Sequence, residues 1–249
     1  ALGGFTAVVA MPNTEPSQDS RIVVEFVRSQ GERAGLCEVI PSGCITVGRS
    51  GQALAPYSEL RDAGVTLFTD DGNGVQDPLL MRRALEYARD LDITLAQHCE
   101  VSSLTVGAVM HEGSCCSHLG LPGWPAIAEE LMVHRDIELV RLTGSRIHFL
   151  HLSTERSVEM VRQAGAREVH FRVSSPPTTH SCFYGIDTPS RENLIASHMN
   201  NEAMNQFIGS DTLAFLTLED LSQAVQDPAQ GEGYCYACFN GDYAVPPPV

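Results

Sequence analysis

Basic side chains are scarce in this chain. Lysine and arginine together number 16 against 31 aspartates and glutamates, for a formal net charge of −15. A surface for nucleic acid or an anionic membrane needs clustered positive charge, so neither partner is expected. No apolar run approaches the roughly 20 residues of a membrane-spanning helix, and no charged-then-apolar leader opens the chain. The cytoplasm is the expected location. In such a chain, eight cysteines suggest thiols or metal ligands rather than a disulfide framework.

The rest of the composition is that of a globular protein with a real core: 249 residues, 43% hydrophobic and 19% charged. That length suits one large domain or two ordinary ones. The opening ALGGFTAVVAMPN reads as the middle of a strand, so the start is expected to be truncated.

From residue 1 to about 164, strand-like and helix-like segments alternate. Strands are expected at 5–11, 38–46, 65–70, 93–98 and 146–152. Asp77 with Pro78 is a helix start. Pro125 begins another helix, and Thr154 caps a third. This alternation implies a parallel sheet, open or closed into a barrel. Residues 99–123 interrupt it with a long glycine-rich connection, of the kind that forms lids and binding loops.

Three segments, VTLFTDD (65–71), ITLAQHC (93–99) and RIHFLHLS (146–153), carry metal-ligand side chains at or near the ends of strand-like runs. In an α/β barrel such residues converge on one mouth. Asp71, His98 and His151 are therefore the candidate ligands, as imidazoles and a carboxylate suit a hydrolytic cation. The pattern alone does not separate Asp70 from Asp71. Cys115–Cys116 reads as a buried pair, and Cys37, Cys44 and Cys99 as core residues.

MPNT (11–14), FTDDGNGVQDP (68–78), LAQHCE (95–100), HEGSCCSHLGLPGWPAIAEE (111–130) and HFLHLST (148–154) resemble bacterial dihydroorotase of the aspartate-bridged type. The separations match as well: 58 residues from Asn13 to Asp71, 27 on to His98, then 53 to His151. The resemblance implies a partial (β/α)8 amidohydrolase barrel, about strands 2–6, over residues 1–160. It also implies zinc and a small-molecule substrate of the dihydroorotate class. Asp71 then matches the metal-bridging carboxylate, His98 and His151 the imidazoles of one metal, and Asn13 a substrate-carboxylate contact. The family's His-x-His pair, its arginine and its TDHAPH-like motif have no counterpart here. One zinc at most is expected, with no catalytic base, and open sheet edges would favour self-association.

Residues 161–249 differ. VRQAGAREVHFRVSSPPTTHSCFYGIDTPSRENLIA (161–196), FIGSDTLAFLTLEDL (207–221) and GYCYACFNGDY (233–243) resemble the carboxyl-terminal part of glutamine phosphoribosylpyrophosphate amidotransferase, a purine-synthesis enzyme. This implies an α/β tail segment in which Cys182, Cys235 and Cys238 are iron–sulfur ligands. Three functional classes follow: a cyclic amidohydrolase, an amidotransferase-derived module holding a cluster, or a chimera without turnover. In the tail a strand is expected at 166–173, docked beside the 146–152 strand. A helix is expected over 190–207 capped by Thr188 or Ser190, a strand at 213–218, a helix at 218–225, and a loosely ordered end.

Overall fold

The computed structural model describes residues 5–166, 168, 170–173, 175–184, 188, 190–225 and 234–245. Its contacts divide into two compact units, Thr6–Gly165 and a second made of Ala1–Phe5 with Ala166–Val249. Both are mixed α/β. Among the described residues no helix is long and apolar enough to cross a membrane.

The first unit is an arc of parallel strands taken in chain order. β1 (Ala7–Ala10) pairs with β2 (Glu38–Pro41). Just beyond β2, Gly43 bridges Phe68 of β3 (Leu67–Thr69), with Gly43 N donating to Leu67 O and Thr69 N to Gly43 O. An ideal Cβ at Gly43 would lie 2.9 Å from the Phe68 ring, so this approach requires glycine. β3 pairs with β4 (Thr94–Gln97). β4 in turn pairs with β7 (Ile147–Phe149). Between β4 and β7 lie β5 (Met110–His111) and β6 (Gly123–Trp124), a separate two-residue ladder.

The crossover helices are α1 (Arg21–Ala34), α2 (Tyr57–Asp62), α3 (Pro78–Asp90) and α5 (Ile127–Thr143), and α6 (Glu155–Gln163) closes the unit. Their starts follow from local chemistry. Asp77 accepts from Leu80 N at 2.7 Å with Pro78 in the first turn, and Thr154 Oγ1 accepts from Ser157 N, each satisfying an otherwise orphaned N–H. Met81, Ala84, Leu85 and Ala88 of α3 are buried, one helical face turned to the sheet. They join Tyr57, Leu60, Phe68 and Leu95 in the main core. Tyr57 packs on both Phe68 and Tyr87, at ring separations of 4.8 and 5.1 Å. Each such large apolar side chain contributes about 1.5–3 kcal/mol on burial.

The long connection carries structure of its own: a 3-10 turn at Ser102–Leu104, the β5/β6 ladder and α4 (Ser114–Leu119). Cys44, Cys99 and Cys116 are buried as expected, but Cys115 is exposed and Cys37 only half-buried. The two neighbours on α4 point about 100° apart, so one faces the core and the other solvent.

In the second unit β8 (His170–Val173) pairs with β9 (Thr212–Phe215). Within this unit His170–Val173 forms the strand expected over 166–173, and its pairing partner is β9; residues 167 and 169 lie outside the described residues. The helix expected over 190–207 is also shorter. Leu194 is extended (φ −87°, ψ 111°) between 3-10 turns at Arg191–Asn193 and Ile195–Ser197. α7 (Asn201–Ile208) begins only where the Asn200 side chain accepts from Ala203 N. α8 spans Leu218–Val225 as expected. Of the end, residues 234–245 are described: α9 (Ala237–Asn240) lies there, and the Cys238 carbonyl accepts from Thr179 N and His180 N. Tyr243 Oη donates to Ser181 O.

Candidate metal centre

Asp71, His98 and His151 come together just past the carboxyl ends of β3, β4 and β7. Among the described residues they are the one group of three or more Asp, Glu, His or Cys side chains close enough to share an ion. His98 Nδ1 lies 3.0 Å from His151 Nε2 and 3.7 Å from Asp71 Oδ1, and His151 Nε2 lies 3.5 Å from the same oxygen. A tetrahedral zinc with bonds near 2.0–2.2 Å holds its donors about 3.3–3.5 Å apart. The trio's separations of 3.0–3.7 Å bracket that spacing, and two imidazoles with one carboxylate are a zinc-type donor set. Asp71 and His98 are 21% and 17% exposed while His151 is 54% exposed, so the site opens on the His151 side. His151 holds φ at +35°. Such strain in a non-glycine residue persists only where the surroundings enforce it.

The structure separates the two aspartates. Asp70 is buried and turned away from the trio. It accepts from Ile45 N at 2.8 Å, Thr46 N at 3.0 Å and Thr46 Oγ1. Burial pushes its carboxyl up despite these donors. It ties the segment after β2 to the end of β3. Asp71 is left facing the histidines.

Further side chains position the ligands. Glu100 contacts the far ring nitrogen of His98, Nε2, at 2.9 Å. Beneath β4, Gln97 accepts from Val75 N and donates to Asp136 Oδ2, and Arg135 donates to Asp136 Oδ1 and Gln76 O. Glu129 on α5 closes the turn after His151. It accepts from Ser153 N and Oγ at 2.8 and 2.6 Å and from Thr154 N and Oγ1 at 3.0 and 2.9 Å. Arg49, itself at φ +53°, donates to Asp71 O at 2.7 Å. Sequence reading misses Arg49 and Glu129, whose partners lie 22 and 24–25 residues away. It misses Glu100 too, although that residue lies two positions after His98 within LAQHCE. Asn13 lies exposed in the loop after β1.

A cavity of about 620 Å³, lined by none of the three ligands, lies between the long connection and the turn after β7. Its lining includes Val109, His111, Trp124, Pro125, Glu129 and Ser153. The β5/β6 ladder thus walls a space large enough for a small cyclic molecule.

The second unit gathers its cysteines more loosely. The Cys238 thiol is pushed up by burial and by the neighbouring Cys182 and Cys235 sulfurs. The three do not meet the spacing for one shared ion.

Parallel strands in chain order, with a carboxylate and two imidazoles at their carboxyl ends, define an α/β scaffold with a candidate metal site. A dihydro-orotase-like family model matches residues 1–157, and the chain belongs to that family. The dihydroorotase of Mycobacterium leprae is 47% identical over 182 residues, covering 72% of this chain and 42% of that protein. The chain spans about half the length of the curated relatives it matches. Among solved structures, the L-hydantoinase (dihydropyrimidinase) of Arthrobacter aurescens shares the fold. The TM-score is 0.53 at 18% identity, over 72% of this chain and 41% of that one. The chain is also similar to a glutamine phosphoribosylpyrophosphate amidotransferase from B. subtilis. There identity is 30% over 72% of this chain and 37% of that one, with a TM-score of 0.40.

Proposed function

We propose that the Thr6–Gly165 unit is a partial (β/α)8 barrel that holds one zinc of a dihydroorotase-type cyclic amide hydrolase. The observation that carries this is the convergence of Asp71 Oδ1, His98 Nδ1 and His151 Nε2 to within 3.0–3.7 Å of one another at the ends of β3, β4 and β7. A zinc held there supplies Lewis acidity toward a substrate carbonyl or a water. The chain's own residues supply the placement. Asp70 and Arg49 fix the backbone at Asp71, Glu100 orients His98, and Glu129 holds the turn after His151. The cavity walled by the β5/β6 ladder receives the cyclic amide, and Asn13 holds its carboxylate. The residues gathered here account for one ion and no proton-transfer base, so residues 1–249 by themselves are expected to turn over dihydroorotate at most in traces. Cobalt substitution tests the assignment. Tetrahedral cobalt absorption should appear in the wild-type protein and vanish in His98→Ala, and an unchanged spectrum in that variant rules the site out.

A second reading concerns residues 161–249, an amidotransferase-derived segment in which Cys182, Cys235 and Cys238 contribute to an iron–sulfur cluster. Backbone hydrogen bonds from Thr179 N and His180 N to Cys238 O bring the segment that carries Cys182 to the Cys235–Cys238 turn, which favours it, since a cluster spans more space than one ion. Iron and acid-labile sulfide after anaerobic reconstitution test it. Equal amounts in wild type and a Cys182→Ser/Cys235→Ser/Cys238→Ser variant refute it.

A further inference from the structure

An imidazole binds a metal through a nitrogen that carries no proton, and the proton must then sit on the other nitrogen. In His98 the nitrogen turned to Asp71 and His151 is Nδ1. Free histidine favours the Nε2–H form only modestly, so a single fixed tautomer needs a hydrogen-bond partner at that nitrogen.

Glu100 is built to do this. Its Oε2 lies 2.9 Å from His98 Nε2. Its Oε1 accepts from Thr105 Oγ1, so both oxygens are engaged. The carboxylate is 17% exposed, as is the ring it faces. Its backbone is pinned as well. Glu100 N donates to His98 O, and Gln76 Nε2 donates to Glu100 O at 2.9 Å. Gln76 Oε1 accepts from Ser102 N, so one side chain, in the segment after Asp71, staples both ends of this turn. An ionised carboxylate only accepts, so it selects the tautomer that offers N–H at Nε2.

We infer that Glu100 is a positioning residue that fixes His98 as its Nε2–H tautomer and leaves the Nδ1 lone pair aimed at Asp71 and His151, with Thr105 holding Glu100 in place. This rests on the zinc reading above, but it makes a claim about the metal-free protein that can be checked separately.

The experiment is nitrogen-15 NMR of His98 in the metal-free chain, alongside zinc affinity by competition with a chromophoric chelator. Glu100→Ala, Glu100→Gln and Thr105→Val are compared with wild type. In wild type His98 should be the Nε2–H tautomer. Glu100→Ala should mix the tautomers and weaken zinc binding about 10–100-fold, the usual cost of losing such an outer partner. Glu100→Gln keeps an acceptor for the ring N–H and should recover most of both properties. Thr105→Val keeps the carboxylate but frees it, and should shift both readouts in the direction of alanine even if Glu100→Ala does not fold. A wild-type Nδ1–H tautomer overturns the inference. So does a Glu100→Ala or Thr105→Val protein with wild-type tautomer and zinc affinity within twofold. If wild type binds no zinc at this site while the tautomer obeys Glu100, the zinc reading fails and the positioning role stands.

Discussion

Glu129→Ala is the sharpest test of how the turn after His151 is held. Glu129 is 7% exposed, and its carboxylate takes two backbone N–H groups and two hydroxyls from Ser153 and Thr154. The hydroxyls can turn to other acceptors, but the two amides cannot. A buried donor left unpaired costs about 1–3 kcal/mol. The adjoining cavity, lined in part by the same residues, lets water reach part of the gap. About 2–4 kcal/mol is therefore expected. Urea unfolding followed by Trp124 measures it, because the chain has one tryptophan and it lies in this unit. The midpoint should fall with the slope unchanged. The pH dependence has a sign too. Burial raises the Glu129 carboxyl, but the hydrogen bonds from the Ser153 hydroxyl and from the Ser153 and Thr154 amides outweigh it and hold it below its ordinary 4.5. A depressed carboxyl stabilises the fold fully above its unfolded value, and that contribution is lost as pH falls through the lower folded one. Glu129→Gln should thus lose part of the acid limb of the stability curve below about pH 4.5. A loss under about 0.5 kcal/mol in the alanine variant, with an unchanged acid limb in the glutamine variant, would refute the reasoning.

Exchanging the neighbouring aspartates should separate fold from site. Asp70→Ala strands the Ile45 and Thr46 donors and should cost at least about 2 kcal/mol in urea unfolding, whereas Asp71→Asn should leave stability within about 0.5 kcal/mol and abolish zinc binding. Gly74→Ala should damage both. Its new Cβ would fall 2.5 Å from the His98 carbonyl oxygen and 2.9 Å from Met132 Sδ, overpacking worth about 1–3 kcal/mol that also displaces His98; chelator competition and unfolding read the two effects. Thiol labelling at pH 8 should modify Cys115 quickly. Cys44, whose thiol burial and the nearby Asp70 charge push up to about 12, should stay unmodified, as should buried Cys99; peptide mass mapping reports both.

Much of the first unit was legible because its signals are local. Asp77–Pro78 and Thr154 announce helix starts through side chains that bond three residues on, and β-branched runs mark the strands. The convergence of Asp71, His98 and His151 was legible for the same reason: a strand end places its side chain without help from elsewhere. The choice between Asp70 and Asp71 was not, because it depends on donors at Ile45 and Thr46, 24–25 residues away. Arg49 and Glu129 were hidden likewise. In the tail, a cap at Thr188 or Ser190 suggested one helix over 190–207, but nothing local announced the extended Leu194 that breaks it.

The most direct test of the account is zinc stoichiometry. Competition titration of the wild-type chain against His98→Ala should show a difference of one ion per chain, removed also by Asp71→Asn and His151→Ala. Equal zinc content in wild type and His98→Ala would contradict the central claim that these three strand ends form a metal site.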